Sequence, residues 1–148
     1  MNRTLVRAGL IYESFAFAAV GFWAAFAPHS FYGDFPGGGR HWVSMDGPYN
    51  EHLVRDVGEL SLAIFVVVLA AAITLSLPLV RTALAAVIVN GGLHLVYHAR
   101  HLDTLSSGDG VAVIASLALG PAVAVVLLIL TARPAPTVEP RPEYPVRD

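Results

Sequence analysis

The stretch Leu60-Ser-Leu-Ala-Ile-Phe-Val-Val-Val-Leu-Ala-Ala-Ala-Ile-Thr-Leu-Ser-Leu-Pro-Leu-Val80 contains no charged residue. About twenty consecutive, mostly apolar residues are enough to cross a hydrocarbon core of roughly 30 Å as a helix, a length that a soluble core helix rarely needs. Val111–Thr131 has the same character. The whole chain is 55% hydrophobic and 14% charged, with a mean hydropathy of +0.63, outside the usual range for a soluble domain of 148 residues. The expected fold class is therefore all-α: an integral membrane four-helix bundle with a long extracytoplasmic loop between its first and second helices.

Working outward from this run, the second span is placed at about 52–76 and the third at about 80–101, with Pro78 and Arg81 in the tight turn between them. So short a turn makes the two antiparallel neighbours, and Gly91 and Gly92 would allow close backbone contact. A polar loop, 102–110, leads to a fourth span at about 111–131, with a kink expected at Gly120-Pro121 because proline removes a backbone donor. The first span is placed at about 5–27. Ala25-Phe-Ala27 has the small-x-small form of a signal-peptide cleavage site, but the apolar part is long for a signal, Glu13 interrupts it and Pro28 would follow the cut, so a retained helix is the better reading. Residues 1–133 form the expected transmembrane domain, and the proline-rich, charged segment 134–148 a disordered cytoplasmic tail.

Residues 28–51 combine turn formers with Phe31, Tyr32, Phe35, Trp42 and Tyr49. Aromatic rings suit the membrane interface, and a connection of this length is also a candidate lid. Gly37-Gly38-Gly39 supplies a bend; without a following Lys and Ser or Thr it is no phosphate-binding loop. Arg3, Arg7, Arg81, Arg133, Arg141 and Arg147 would gather on the side of the termini, against Arg40, Arg55 and Arg100 on the other. That asymmetry places both termini in the cytoplasm of a multi-pass protein of the cell membrane.

The absence of cysteine removes disulfides, thiolate metal sites and cysteine nucleophiles. A net charge of -2 without a basic cluster gives no case for nucleic acid. What remains is a polar constellation within the apolar spans. In Asn90-Gly-Gly-Leu-His94-Leu-Val-Tyr-His98-Ala-Arg-His101 the asparagine and three histidines fall within an arc of roughly 80°, on one stripe of one helix. His52, Asp56 and Glu59 fall within roughly 60° at the start of the second span. From the outer ends inward, at about 1.5 Å per residue, His52 matches His101 in height, Asp56 matches His98 and Glu59 matches His94. Glu13 lies deeper, near the level of Asn90. Ionisable groups at such depth cost about 2.5–3.5 kcal/mol each on insertion scales, so they usually face the protein interior and pair.

Three chemistries fit. His52, His94, His98 and His101 could ligate zinc, iron or copper, with Asp56 or Glu59 as ligand or general base, since a His-x3-His pair sets two ring nitrogens one turn apart. Imidazoles on facing helices could instead hold haem b. Without metal, carboxylate–imidazole pairs can relay protons, with Asn90 and Glu13 continuing the track inward. A contact that only fixes helix register is the plainer alternative. His29 and His41 are loop residues, expected to be surface or stacking groups.

Gly47-Pro-Tyr-Asn-Glu-His52-Leu-Val-Arg-Asp56-Val-Gly-Glu59, followed by Asn90-Gly-Gly-x-His94-x-x-x-His98-x-x-His101, resembles the pattern of small bacterial four-span membrane proteins of uncharacterised activity, over about residues 5–132. The resemblance implies the four-span fold and no activity. A looser likeness is to seven-span zinc hydrolases of membranes, in which His-x3-His and an Asp bind the metal; this chain has too few spans and lacks the full motif order. The expected function is that of a membrane protein with a His/carboxylate metal site near the outer face, acting as a metal-dependent oxidoreductase or hydrolase on a lipid-soluble substrate. The competing class is a non-enzymatic subunit, within a homo-oligomer or larger complex, or a proton or metal-ion transport component.

Overall fold

The computed structural model of the protein describes residues 2–132. In chain order it contains α1 (Arg3–Phe26), α2 (Pro28–Asp34), β1 (Pro36–Gly37), β2 (Arg40–His41), α3 (Glu51–Thr74), α4 (Leu77–Ala99) and α5 (Ser107–Leu130). Four of the helices, α1, α3, α4 and α5, are 23 or 24 residues long and apolar enough to cross a membrane. The expected tail, 134–148, lies outside the described residues.

The helix ends follow from local chemistry. Asn2 and Asn50 each accept the backbone N–H three residues on, at Leu5 and Leu53, which fixes the starts of α1 and α3. Ser106 accepts from the Asp109 backbone N–H at 3.1 Å and donates to the Asp109 carboxylate at 2.8 Å. This reciprocal cap starts α5 at Ser107, four residues before the expected 111. Pro78 lies in the first turn of α4 rather than in the preceding turn, where its missing N–H costs nothing. The turn itself is only Leu75-Ser76, and Leu75 closes α3 in the left-handed region at φ 49°. That conformation costs a leucine about 1–2 kcal/mol, offset by burial of its side chain at 5% exposure. Helix α5 runs unbroken through Pro121.

The connection expected as a long structured loop over 28–51 contains a short helix and a hairpin, followed by turns up to residue 50. Pro28 starts the short helix α2, and Gly37, Gly38 and Gly39, all at positive φ, turn the two-residue strands β1 and β2 into a hairpin that pairs Pro36 with His41. Phe31 is buried with Ala24 of α1 and Val54 of α3, and Trp23, Tyr32, Phe35 and Val43 pack around them. Aromatic burial is therefore what seats this segment on the ends of α1 and α3.

The spanning helices associate as two close pairs. Gly58 of α3 sits against the α1 backbone: a Cβ there would stand 2.3 Å from the Ala25 nitrogen. On α4, a Cβ at Gly91 would meet the Pro121 ring of α5 at 3.0 Å, whereas Gly92, expected to share this role, faces open space. The pairs join at the end that carries the α1 N-terminus, through a core that includes Val6, Leu10, Val68, Ala71, Val80, Leu84 and Leu127. Three arginines tie antiparallel neighbours by donating to carbonyls at helix C-termini: Arg7 to Ala72, Arg55 to Ala25 and Arg81 to Thr131. Each satisfies an acceptor the helix itself leaves free and places positive charge at the negative end of the dipole.

Candidate functional site

Toward the opposite end the two pairs diverge and enclose a cavity of about 630 Å³. Its floor is at mid-height, where Glu13 of α1, Val87 of α4 and Gly120-Pro121 of α5 converge; its roof is the α2–hairpin segment, through Phe31, Tyr32, Phe35, Trp42 and Val43. The roof is fixed on both sides. It packs on α1 and α3 as described, and it reaches α5 through Asp109, which accepts from the Trp42 indole at 3.0 Å and pairs with Arg40 at 3.2 Å. The Arg40 guanidinium also stands 5.6 Å from the centre of the Trp42 ring, within cation–π range. Tyr32 donates to the Gly47 carbonyl at 2.8 Å, tying the turns that follow the hairpin to α2.

The cavity is not sealed. On α3 the lining residues Leu53, Val57 and Leu60 are 59%, 46% and 66% exposed, and across from them Asn90 and His94 of α4 are exposed too. The cavity thus opens sideways between α3 and α4, at the level of the apolar spans. A second, polar rim is formed by the exposed residues Asp46, Gly47, Pro48 and Asn50 at the roof end. Tyr12 of α1 and Ser116 of α5 are also exposed lining residues.

Within the cavity stand four of the residues singled out from the sequence: Glu13, Asn90, His94 and His98. The His94 and His98 rings stack at 4.8 Å, and their Nε2 atoms are 3.0 Å apart, so one ring donates its proton to the other. Two nitrogens at this separation would subtend about 95° at a metal ion 2.0–2.1 Å from each. Among the described residues, no group of three or more His, Cys, Asp or Glu side chains stands together in a way that could hold a metal. Among the described residues the cavity lining contains no histidine other than His94 and His98.

Glu13 is 1% exposed, and its Oε1 has no hydrogen-bond partner among the described residues. Opposite it is Gly120, where a Cβ would stand 3.3 Å from Glu13 Oε2. The missing side chain lets the α5 backbone pack close to the carboxyl group.

The other predicted site residues are elsewhere. His52 and Asp56 pair with each other at 3.5 Å on α3, with side chains 83% and 42% exposed. Glu59 is exposed, and none of the three lines the cavity. The residues of α3 that do line it, Leu53, Val54, Val57, Leu60 and Ser61, centre roughly 130° around the helix axis from that stripe. The two ladders therefore match in spacing but do not meet. His101 turns back on its own helix, stacking on Tyr97 at 4.3 Å and bonding the Tyr97 carbonyl at 2.8 Å. Arg55 bonds Glu51 at 2.8 Å in addition to the Ala25 carbonyl. In the roof segment His41 bonds the Gly33 carbonyl, and His29 stacks edge-on with Tyr49 at 5.3 Å.

Reading the sequence missed Asp46, Ser61 and Gly120 as lining residues and Asp109 as the tether of the roof. Only Asp109 carried a local signal, the Ser106-x-x-Asp109 cap. The others are positioned by which helices become neighbours, which no local pattern states. No family model, curated protein or solved structure matches the chain.

Proposed function

We propose that this chain is a multi-pass protein of the cell membrane, both termini cytoplasmic, that takes a lipid-soluble molecule into the cavity between its two helix pairs. The observation that carries this reading is a lateral opening that is apolar on its α3 side and polar on its α4 side, with Glu13 buried at the cavity floor. A molecule dissolved in the bilayer would pass Leu53, Val57 and Leu60 and find His94, His98, Asn90 and Glu13 within. Burying such groups is costly in a membrane protein unless they serve a ligand, a proton path or each other. Retention of radiolabelled dodecanol by the protein in lipid nanodiscs, above that of empty discs, tests the reading. Retention should saturate and should be abolished by Ser61→Phe, which fills the cavity from α3; non-saturating retention equal in both would refute it. The orientation rests on the arginine asymmetry. In the cysteine-free chain, a single cysteine at position 47 should be labelled by a membrane-impermeant maleimide from outside the cell, and labelling only after lysis would reverse it.

A second reading is favoured by one distance. The 3.0 Å separation of His94 and His98 Nε2 suits two adjacent ligands of one zinc, iron or copper ion, with the remaining positions left to substrate or water. On that reading the protein is a metal-dependent oxidoreductase or hydrolase, and the imidazole pair stands where a substrate entering from the bilayer would meet it. Without metal, the same pair is a proton-sharing link between the polar rim and the deeper Asn90 and Glu13.

A further inference from the structure

Glu13 is the group in the cavity that protein packing does not account for. A carboxylate in a low-dielectric interior is costly unless it is paired and hydrogen-bonded. Here one oxygen has no partner among the described residues, the residue is 99% buried, and it lines the cavity. No lysine exists in the chain, and among the described residues no arginine lines the cavity. Arg7, Arg55 and Arg81 are held by helix-end carbonyls. The remaining walls are rich in aromatic rings, with Tyr12, Phe17, Phe31, Tyr32, Phe35 and Trp42 all lining the space. A second carboxylate, Asp46, stands at the polar rim. An enclosure with aromatic faces, acidic groups at floor and rim and no fixed positive charge among its described lining favours a cation that is itself apolar.

We propose that the ligand of this cavity is a lipophilic organic cation, a bulky quaternary or protonated amine or its phosphonium equivalent, whose positive centre is held by Glu13. The proposal rests on the reading of the cavity as a site for lipid-soluble molecules and adds the charge and the anchoring residue. The ligand supplies the counter-charge that Glu13 lacks, and its apolar substituents replace lipid contacts with aromatic ones. Asp46 at the rim gives the same class of ligand a favourable potential toward the aqueous side.

The test uses the full chain in nanodiscs with two probes, radiolabelled tetraphenylphosphonium and neutral dodecanol. The wild type should bind both saturably. Glu13→Gln should weaken tetraphenylphosphonium at least tenfold and dodecanol, whose hydroxyl an amide can still meet, several times less, with helicity and thermal unfolding confirming that the variant is folded. Gly120→Ala, which keeps the carboxylate and crowds it from α5, should also weaken the cation selectively. Saturable dodecanol binding without tetraphenylphosphonium binding, or equal cation affinity in wild type and Glu13→Gln, would overturn the assignment of charge and leave the cavity reading standing. Failure of both probes would overturn the two together.

Discussion

At the scale of single residues, the molecule separates two kinds of polar group that the sequence places in one class. His52, Asp56 and Glu59 have helical spacing, matched depth and plausible chemistry, yet they face away from the cavity, while His94, His98, Asn90 and Glu13 face into it. Periodicity fixes the angle of each residue about its own helix axis; it does not say which neighbour lies in that direction. On α3 that direction is decided by Gly58, whose missing side chain lets the α1 backbone approach and so turns the acidic stripe outward. The histidine pair was legible as a pair, since a four-residue spacing brings the two rings together whatever surrounds them. If the pair holds a metal, protein purified without chelators carries a stoichiometric transition metal by elemental analysis, and the His94→Ala/His98→Ala double variant loses it. Background metal in both proteins, after attempted reconstitution, would reduce the pair to a hydrogen bond.

Among elements, the four spans follow from apolar length alone, and the structure keeps all of them with ends shifted by a few residues where caps decide. Ser106 with Asp109 and Pro78 in the first turn of α4 are signals of a kind that can be read from sequence. The ordered roof over 28–50 is different: its fold depends on Phe31, Trp23 and Phe35 finding a seat formed by α1 and α3, a tertiary effect hidden from any local window. The close approach of α1 and α3 yields a sharp expectation. Gly58→Val places side-chain atoms where the Ala25 backbone now lies, and overpacking of this sort costs about 1–3 kcal/mol. Thermal unfolding in detergent should show the loss. Gly92→Ala, which meets open space, should stay within about 0.5 kcal/mol of wild type, as surface substitutions do. Equal effects from the two would contradict the described pairing of the helices.

For the whole molecule, stability and opening are divided between its two ends. The end with the α1 N-terminus carries the shared core and two of the arginine ties, Arg7 and Arg81; the other end holds the cavity, with the pairs bridged by a roof rather than by direct packing. That division lets one end remain a bundle while the other admits a molecule from the side. The chain has two tryptophans, and Trp42 lines the cavity, so Trp23→Phe leaves a single reporter at the site. The most direct measurement is quenching of that reporter by a bilayer-soluble brominated hydrocarbon in lipid vesicles. Entry into the cavity predicts saturable quenching that disappears when Ser61→Phe is added. Quenching that rises without saturation, and equally in both proteins, would mean that the probe meets Trp42 only from the surrounding lipid and that the cavity is not a binding site.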